Sequence, residues 1–172
     1  DDYLHYSVYT ADKLTTSFLT TRPLASMLDV YFWSNFWGNL IVAVLILSVL
    51  YTLAIYLLMR VFRQYFSCGW MFLLIAALLP MGFEGLYWLS ASTRIIAGLF
   101  FASLAALMLQ CFLESGKWYF AIPFVLLQLI SCFFYEQILL LSLAITLVQC
   151  VLSFRKVRWL SLAGLLSLVN VI

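Results

Sequence analysis

The chain has 172 residues, of which 66% are hydrophobic, 18% aromatic and only 9% charged. A water-soluble surface ordinarily needs about a quarter of the residues to be charged, so this composition excludes a soluble globular protein and predicts an integral membrane protein. The formal net charge of +2 says little about orientation, which depends on where Lys and Arg lie, and we expect no nucleic-acid partner.

The predicted fold is all-α, a polytopic bundle of about five to six transmembrane spans. A hydrocarbon core of about 30 Å needs about 20 apolar residues in helical form, and runs this continuous indicate helices rather than barrel strands. Residues 38–172 form the bundle, and residues 1–37 form an outward loop before it. Since the chain starts without Met and its last run, 160–172, is too short to cross, we expect the bundle to be incomplete at both ends.

Residues 1–37 mix charged residues with many aromatic ones, a composition typical of the headgroup zone of a membrane. We expect one or two amphipathic helices that lie on the surface there. Pro23 is a suitable first-turn residue for the second helix. Its predicted apolar face consists of Leu24, Met27, Leu28, Tyr31 and Phe32, at helical spacing.

The predicted spans are 38–58, 65–79, 95–113, 118–134 and 138–154, followed by an unfinished sixth. Polar residues within these runs are expected to bond neighbouring helices. They are Gln110, Gln128, Gln149 and Asn170. The four cysteines lack metal or redox spacing and are expected to pack as small hydrophobic residues.

Alternating the two sides of the membrane along these spans sorts the charges by sign. One side receives Arg60, Arg63, Lys117, Arg155, Lys156 and Arg158, with Glu114 as its acid. The other receives Asp1, Asp2, Asp12, Asp29, Glu84 and Glu136, with Lys13, Arg22 and Arg94. The positive-inside rule assigns the basic side to the cytoplasm. The acidic loops then face the periplasm, a lumen or the exterior.

Residues 80–94 form the most polar stretch between the apolar runs. Pro80 and the two glycines that follow it predict the end of a helix, and Ser90, Ser92 or Thr93 is suited to cap the next one. This interpretation leaves Glu84 and Arg94 at a helix boundary rather than in lipid.

The outward side therefore collects carboxylates from three segments, namely Asp1 with Asp2, Glu84, and Glu136. A carboxylate beside hydrocarbon loses hydration, which raises its pKa and suits it to act as a general base. Arg94 is suited to neutralise an acid or to hold a phosphate oxygen.

Tyr87 and Trp88, in the same stretch, have flat faces suited to a sugar ring. Each candidate also has a purely structural interpretation. Glu84 and Arg94 could pair across a helix junction, Tyr87 and Trp88 could be interfacial anchors, and Glu136 could be a solvated turn residue.

His5 alone is weak evidence for a metal site.

Several short motifs together resemble polytopic glycosyltransferases of the GT-C superfamily, nearest to the glucosyl transferase II type that modifies bacterial O-antigen. They are Asp1-Asp2 in an outward loop, Thr21-Arg22-Pro23-Leu24 before a span, Tyr87-Trp88-Leu89-Ser90 between Glu84 and Arg94, and Tyr135-Glu136-Gln137. The resemblance covers most of the chain. The family pattern also has a span before the Asp1-Asp2 motif and a C-terminal domain, and we expect both to lie beyond the ends of this stretch.

The resemblance implies inverting transfer of a sugar, expected to be glucosyl, from a polyprenyl-phosphate donor to a surface glycan or lipid-linked acceptor. Asp1 or Asp2 would be the catalytic base, while Arg22, Arg94 and Glu136 would line the donor site. Some relatives use a divalent cation and others do not, so the cofactor stays open. The implied location is the bacterial inner membrane, with the site facing outward among membrane lipids.

Two other functions are compatible with the same sequence. A transporter or flippase for lipid-linked glycans usually carries ionisable residues deep within its spans, whereas here nearly all charges lie at predicted helix ends. A noncatalytic scaffold subunit would pack against a partner through its aromatic-rich helices. It predicts that neutralising Asp1, Asp2 and Glu84 leaves activity unchanged.

Overall fold

The computed structural model describes residues 22–36, 39–67, 69–78 and 89–153. Every regular element in these ranges is helical, and they contain no strand. The α-helices are α1 (Pro23–Tyr31), α2 (Leu40–Phe62), α3 (Trp70–Leu78), α4 (Leu89–Ser115), α5 (Ala121–Phe134) and α6 (Glu136–Ser153), with short 3-10 turns at Trp33–Phe36 and Trp118–Phe120. The all-α prediction is therefore confirmed for the described part of the chain.

Within the described ranges, two helices are long and apolar enough to cross a membrane, namely α2 and the Ala91–Ser115 part of α4. Their 23 and 25 residues correspond to about 35 Å and 37 Å at 1.5 Å per residue, against a hydrocarbon core of about 30 Å. α2 begins two residues after the start of the predicted span 38–58 and ends four residues after its end, whereas the Ala91–Ser115 part of α4 extends beyond 95–113 at both ends. The apolar helices Trp118–Phe134 and Gln137–Ser153 are shorter.

The C-terminus of α4 coincides with a change of backbone conformation at Gly116, whose φ is +65°. The Gly116 N–H donates to the carbonyl oxygen of Phe112 at 2.8 Å. Glycine adopts this left-handed conformation without the steric penalty of a Cβ atom, which is why it commonly follows the last helical residue.

The second predicted span, 65–79, differs from the structure at its start. Tyr65 lies in a turn that continues from α2, with its N–H bonded to the carbonyl oxygen of Phe62 at 2.9 Å. α3 begins only at Trp70 and has 9 residues, about 13 Å. The Tyr65 hydroxyl is hydrogen-bonded to Ser153 Oγ at 2.6 Å. This bond connects the turn after α2 to the C-terminal end of α6.

α5 and α6 match the fourth and fifth predicted spans closely. They are separated by Tyr135, which has an extended backbone with φ −160° and ψ 124°. α6 begins at Glu136, two residues before the predicted start, so Glu136 belongs to a helix and the turn consists of Tyr135 alone. The sixth predicted run lies outside the described residues.

α4 is the central helix and contacts α2, α5 and α6. Ser131 Oγ of α5 donates to the Gly98 carbonyl oxygen at 2.9 Å, and Phe124 packs with Leu109 further along α4, so α4 and α5 are antiparallel. α6 runs parallel to α4, from Ile138 beside Gly98 towards its C-terminal half.

α2 also runs parallel to α4. Leu47 in its N-terminal half packs in a cluster with Ile96, and Leu58 in its C-terminal half packs in a cluster with Ala106. The N-termini of α2, α4 and α6 therefore lie at the same end of the bundle as the C-terminus of α5.

The buried glutamines differ in what they bond. Gln149 of α6 donates from Nε2 to the Ala106 carbonyl oxygen of α4 at 3.0 Å, as the sequence predicted. Gln110 instead donates to Glu114 of its own helix at 2.9 Å, so the predicted interhelical bond is wrong for Gln110. An acid one turn away on the same helix face is a closer partner than a neighbouring helix. Asn170 lies outside the described residues.

α1 begins with Pro23 at its first position, as predicted, but its predicted apolar face does not all turn inward. The fully buried residues are Ala25, Ser26 and Asp29. Met27 and Tyr31 are 47% and 64% exposed. Small and polar side chains allow α1 to lie close to α4 and α5, and Leu24 and Leu28 pack beside them, while Met27 and Tyr31 face outward.

Candidate functional site

A buried ion pair joins α1 to α4. Nη2 and Nε of Arg94 donate to Oδ2 of Asp29 at 2.9 Å and 3.1 Å. The Asp29 side chain is 1% exposed and that of Arg94 13% exposed. Thr93, the neighbour of Arg94, donates from Oγ1 to the other oxygen, Oδ1, at 3.3 Å. Both carboxylate oxygens of Asp29 therefore accept hydrogen bonds from α4.

This geometry corrects the predicted position of Arg94. α4 begins at Leu89, so Arg94 lies inside the helix and not at its boundary. The predicted caps Ser90, Ser92 and Thr93 are wrong for the same reason, because all three lie inside α4. The cost of an arginine within an apolar helix is met by a carboxylate from another element, which neutralises its charge.

Arg22 lies at the start of α1, where its guanidinium stacks on a ring from the turn between α5 and α6. The distance from its Cζ atom to the centroid of the Tyr135 ring is 4.5 Å. The Arg22 carbonyl oxygen accepts a hydrogen bond from Ser26 Oγ at 3.0 Å. Cation–π contacts of this kind are attractive, and more so when they are desolvated.

These contacts bring together two of the predicted site residues and the backbone of a third. Arg22 contacts Tyr135 in the turn between α5 and α6, and Arg94 of α4 contacts Asp29 of α1. Glu136, the first residue of α6, directly follows Tyr135. The side chain of Glu136 lies outside the described atoms. The remaining predicted residues, Asp1, Asp2, Glu84, Tyr87 and Trp88, lie outside the described residues.

Asp29 and Tyr135 are the residues of this end that the sequence did not predict as part of the site. The sequence pattern groups Asp29 only with the other acids of the outward side. A signal was present, because an acid between Leu28 and Val30 in an apolar helix requires a buried cation. No local pattern selects Arg94 as that cation, since it lies 65 residues away.

The opposite end of the bundle carries a different set of charges. Arg60 lies in the last turn of α2, Arg63 follows it, and Lys117 follows α4. The contact between Tyr65 and Ser153 places the last residues of α2 and α6 at this same end. Within the described residues, the basic positions at this end are thus separated from the Asp29–Arg94 pair by the length of the helices.

The described residues do not offer a metal centre. Among them, no three His, Cys, Asp or Glu side chains are grouped as metal ligands. The Asp29 carboxylate, which would be the natural oxygen ligand at this end, is bonded to Arg94 and Thr93.

Comparison of the chain with protein-family models, curated proteins and solved structures finds no match.

Proposed function

We propose that the chain is a polytopic membrane bundle of about five to six spans. The supporting observation is that many large apolar side chains of the described helices are exposed, while several polar ones are buried. Gln128 and Gln149 are fully buried, whereas Ile41, Trp70 and Leu140 are between 71% and 83% exposed. Lipid would solvate such apolar surfaces, whereas water would not.

The direction of the helices supports the number of spans. If α2 and α4 both cross the membrane, their parallel orientation requires the chain to cross back between them. Residues 63–88, which include α3, are the segment available for that return. α5 and α6 then complete five crossings, with the turn at Tyr135 on the same side as the start of α4.

The charges support an orientation for this bundle. The end with Arg60, Arg63 and Lys117 would face the cytoplasm by the positive-inside rule. The end with Arg22, Asp29 and Arg94 would face the periplasm or exterior. A bacterial inner membrane is the location that agrees with the resemblance to GT-C glycosyltransferases.

At this outward end, the proposed activity is transfer of a sugar from a polyprenyl-phosphate donor to a glycan or lipid-linked acceptor. The structural support is the proximity of Arg22 to the turn that carries Glu136, since a guanidinium binds phosphate oxygens well. Because a polyprenyl donor lies in the bilayer, its phosphate would reach this end from the side.

The proposed reaction uses a carboxylate of Asp1 or Asp2 as general base. It takes the proton of an acceptor hydroxyl as that oxygen forms a bond to the anomeric carbon. The bond from that carbon to the phosphate oxygen breaks, and the lipid phosphate leaves with its electron pair. Arg22 would stabilise the phosphate, while Arg94 is engaged by Asp29. No step is assigned to a divalent cation.

The experiment uses membranes that contain the intact protein, radiolabelled polyprenyl-phosphate glucose and glycan acceptor. We expect Asp1→Asn or Asp2→Asn to lower the transfer rate by about a hundredfold or more, the usual contribution of a general base. Asp12→Asn, in the same outward loop, is the control and should retain the rate. Transfer that survives both aspartate changes and Glu84→Gln would favour the scaffold function instead.

A further inference from the structure

α1 is attached to the bundle by one polar contact near each of its ends, with a cation at its start and an anion near its end. Its first contact is the Arg22 guanidinium on the Tyr135 ring, and its second is Asp29 with Arg94. Between them, Ala25 packs in a cluster with Ala97 and Phe134, and the partly buried Leu24 and Leu28 pack against the same cluster. Apolar contacts are non-directional, so the polar contacts contribute much of what distinguishes one position of α1 on the bundle from another.

The hydrogen bonds between Asp29 and α4 restrict the position of α1 more than the apolar contacts of this interface do. Arg94 donates two N–H groups to one oxygen, and Thr93 donates to the other. The two N–H bonds to Oδ2 restrict the distance between the side chains, and the Thr93 bond to Oδ1 restricts the rotation of the carboxylate. Apolar contacts in lipid are far less selective, since lipid tails are as apolar as the side chains that they replace.

We propose that the Asp29–Arg94 pair is a positioning element that holds α1 in register, so that Arg22 stays beside Tyr135 and the start of α6. Asp29 lies in the C-terminal half of α1 and Arg22 directly precedes its first residue, so one helix of nine residues connects the two contacts. Sliding or rotation of α1 at Asp29 would move Arg22 by a similar amount.

This inference rests on the proposed function in one respect, the assignment of Arg22 to the donor phosphate. Arg22 would contact the phosphate both before and during transfer, so displacing it should weaken donor binding more than it slows the chemical step. Asp29 and Arg94 themselves would touch no substrate. They would act only through the placement of Arg22.

One test measures the kinetics of sugar transfer in membranes with polyprenyl-phosphate glucose. We expect Asp29→Asn to raise the donor KM about tenfold, with kcat changed by less than about twofold. Arg94→Lys keeps the charge without the planar fork and should restore part of the donor affinity that Arg94→Gln loses. Met27→Ala, on the outward side of the same helix, is the control and should leave KM unchanged.

A second test does not need the activity. Ala25→Cys and Ala97→Cys are combined in protein without its native cysteines, and disulfide formation is followed by gel mobility. We expect Asp29→Asn to slow this crosslink about tenfold, because α1 then occupies its docked position less often. Thr93→Val, which removes only one hydroxyl, should slow it less and keeps the test usable if Asp29→Asn does not fold.

The two tests fail in distinguishable ways. If the unchanged protein transfers no sugar, the proposed function is wrong, and the crosslinking rate alone decides whether the pair positions α1. Unchanged crosslinking and unchanged KM in Asp29→Asn would overturn the positioning role. Loss of kcat in the folded protein that remains, with the donor KM unchanged and no recovery in Arg94→Lys, would also overturn it, because displacement of Arg22 should act on donor binding.

Discussion

At the residue scale, Asp29 and Arg94 are two charged side chains whose burial is unfavourable for each one alone and is compensated when they pair. Each would be strongly unfavourable alone at its buried position, because a charge in a medium of low dielectric loses its hydration. Together they satisfy both oxygens of Asp29 and two donors of Arg94. Removing either partner therefore leaves the other charge buried without the bonds of the ion pair.

This coupling is measurable in a double-mutant cycle. We expect Asp29→Asn and Arg94→Met to lower the free energy of unfolding by about 3–5 kcal/mol each, and the double variant to lower it by clearly less than the sum. Unfolding of purified protein in mild detergent provides the values. Arg63→Met changes an exposed arginine at the other end and should stay within about 0.5 kcal/mol of the unchanged protein. Additive effects would contradict the buried pair.

At the element scale, the close approach of α4 to α5 and α6 depends on one missing side chain. A Cβ atom at Gly98 would lie 3.1 Å from Ile138 Cγ1 and 3.4 Å from the Ser131 carbonyl oxygen. The Ser131 hydroxyl donates to the Gly98 carbonyl oxygen at the same point. Small residues commonly permit this kind of backbone approach between helices in membranes.

Gly98→Ala should change the free energy of unfolding through two opposing effects, a higher helix propensity and steric crowding. Alanine favours the helix by about 0.5–1 kcal/mol, but forcing an extra methyl group into a packed site costs about 1–3 kcal/mol. We expect a net loss of about 1 kcal/mol, measured as the free energy of unfolding in detergent. Gly69→Ala is the matched control, since no atom lies within 4 Å of the place that its Cβ would take, and it should cause no loss. Equal effects at both positions would contradict the close contact.

At the scale of the whole molecule, the two ends of the bundle differ in charge. Arg22, Asp29 and Arg94 lie at one end, and Arg63 and Lys117 at the other. The described cysteines, Cys111, Cys132 and Cys150, form no disulfide, so single thiols can be introduced once the native cysteines are replaced. The polarity of the bundle can therefore be tested directly in intact cells.

We expect a cysteine at the Asp29–Arg94 end to react with an impermeant thiol reagent added outside the cells, and a cysteine at the basic end to react only after lysis. Asn35→Cys tests the first end, while Gln64→Cys and Ser115→Cys test the second; all three positions are exposed. The opposite pattern would place the proposed site on the cytoplasmic side, and labelling of both ends from outside would contradict the spanning bundle.

How far the fold follows from the sequence differs between elements. α2 and the α5–α6 pair are predictable within a few residues, because apolar runs in lipid must satisfy their backbone groups internally and form helices. The predicted start of α4 is too late, since a charged residue such as Arg94 favours a helix boundary by composition alone. The predicted start of α3 is too early, because Tyr65 is apolar enough to extend the run.

The candidate site follows from the sequence less well. Residue type is enough to identify Arg22 and Arg94, but the role of Arg94 depends on Asp29, which is distant in the chain. The apolar face of α1 is predicted by periodicity, which cannot tell a face that meets lipid from one that meets protein. Met27 and Tyr31 show the consequence, since both are exposed while Ser26 is buried.

The sequence by itself determined that the described elements are helices and that Arg60, Arg63 and Lys117 lie at or just beyond helix ends, because these properties depend on local composition and on the solvent around each segment. Only the tertiary structure decided which acid meets Arg94, which ring lies under Arg22 and which face of α1 is buried. Those outcomes depend on distances between segments remote in the chain, and many pairings of the same residues would satisfy composition and periodicity equally well.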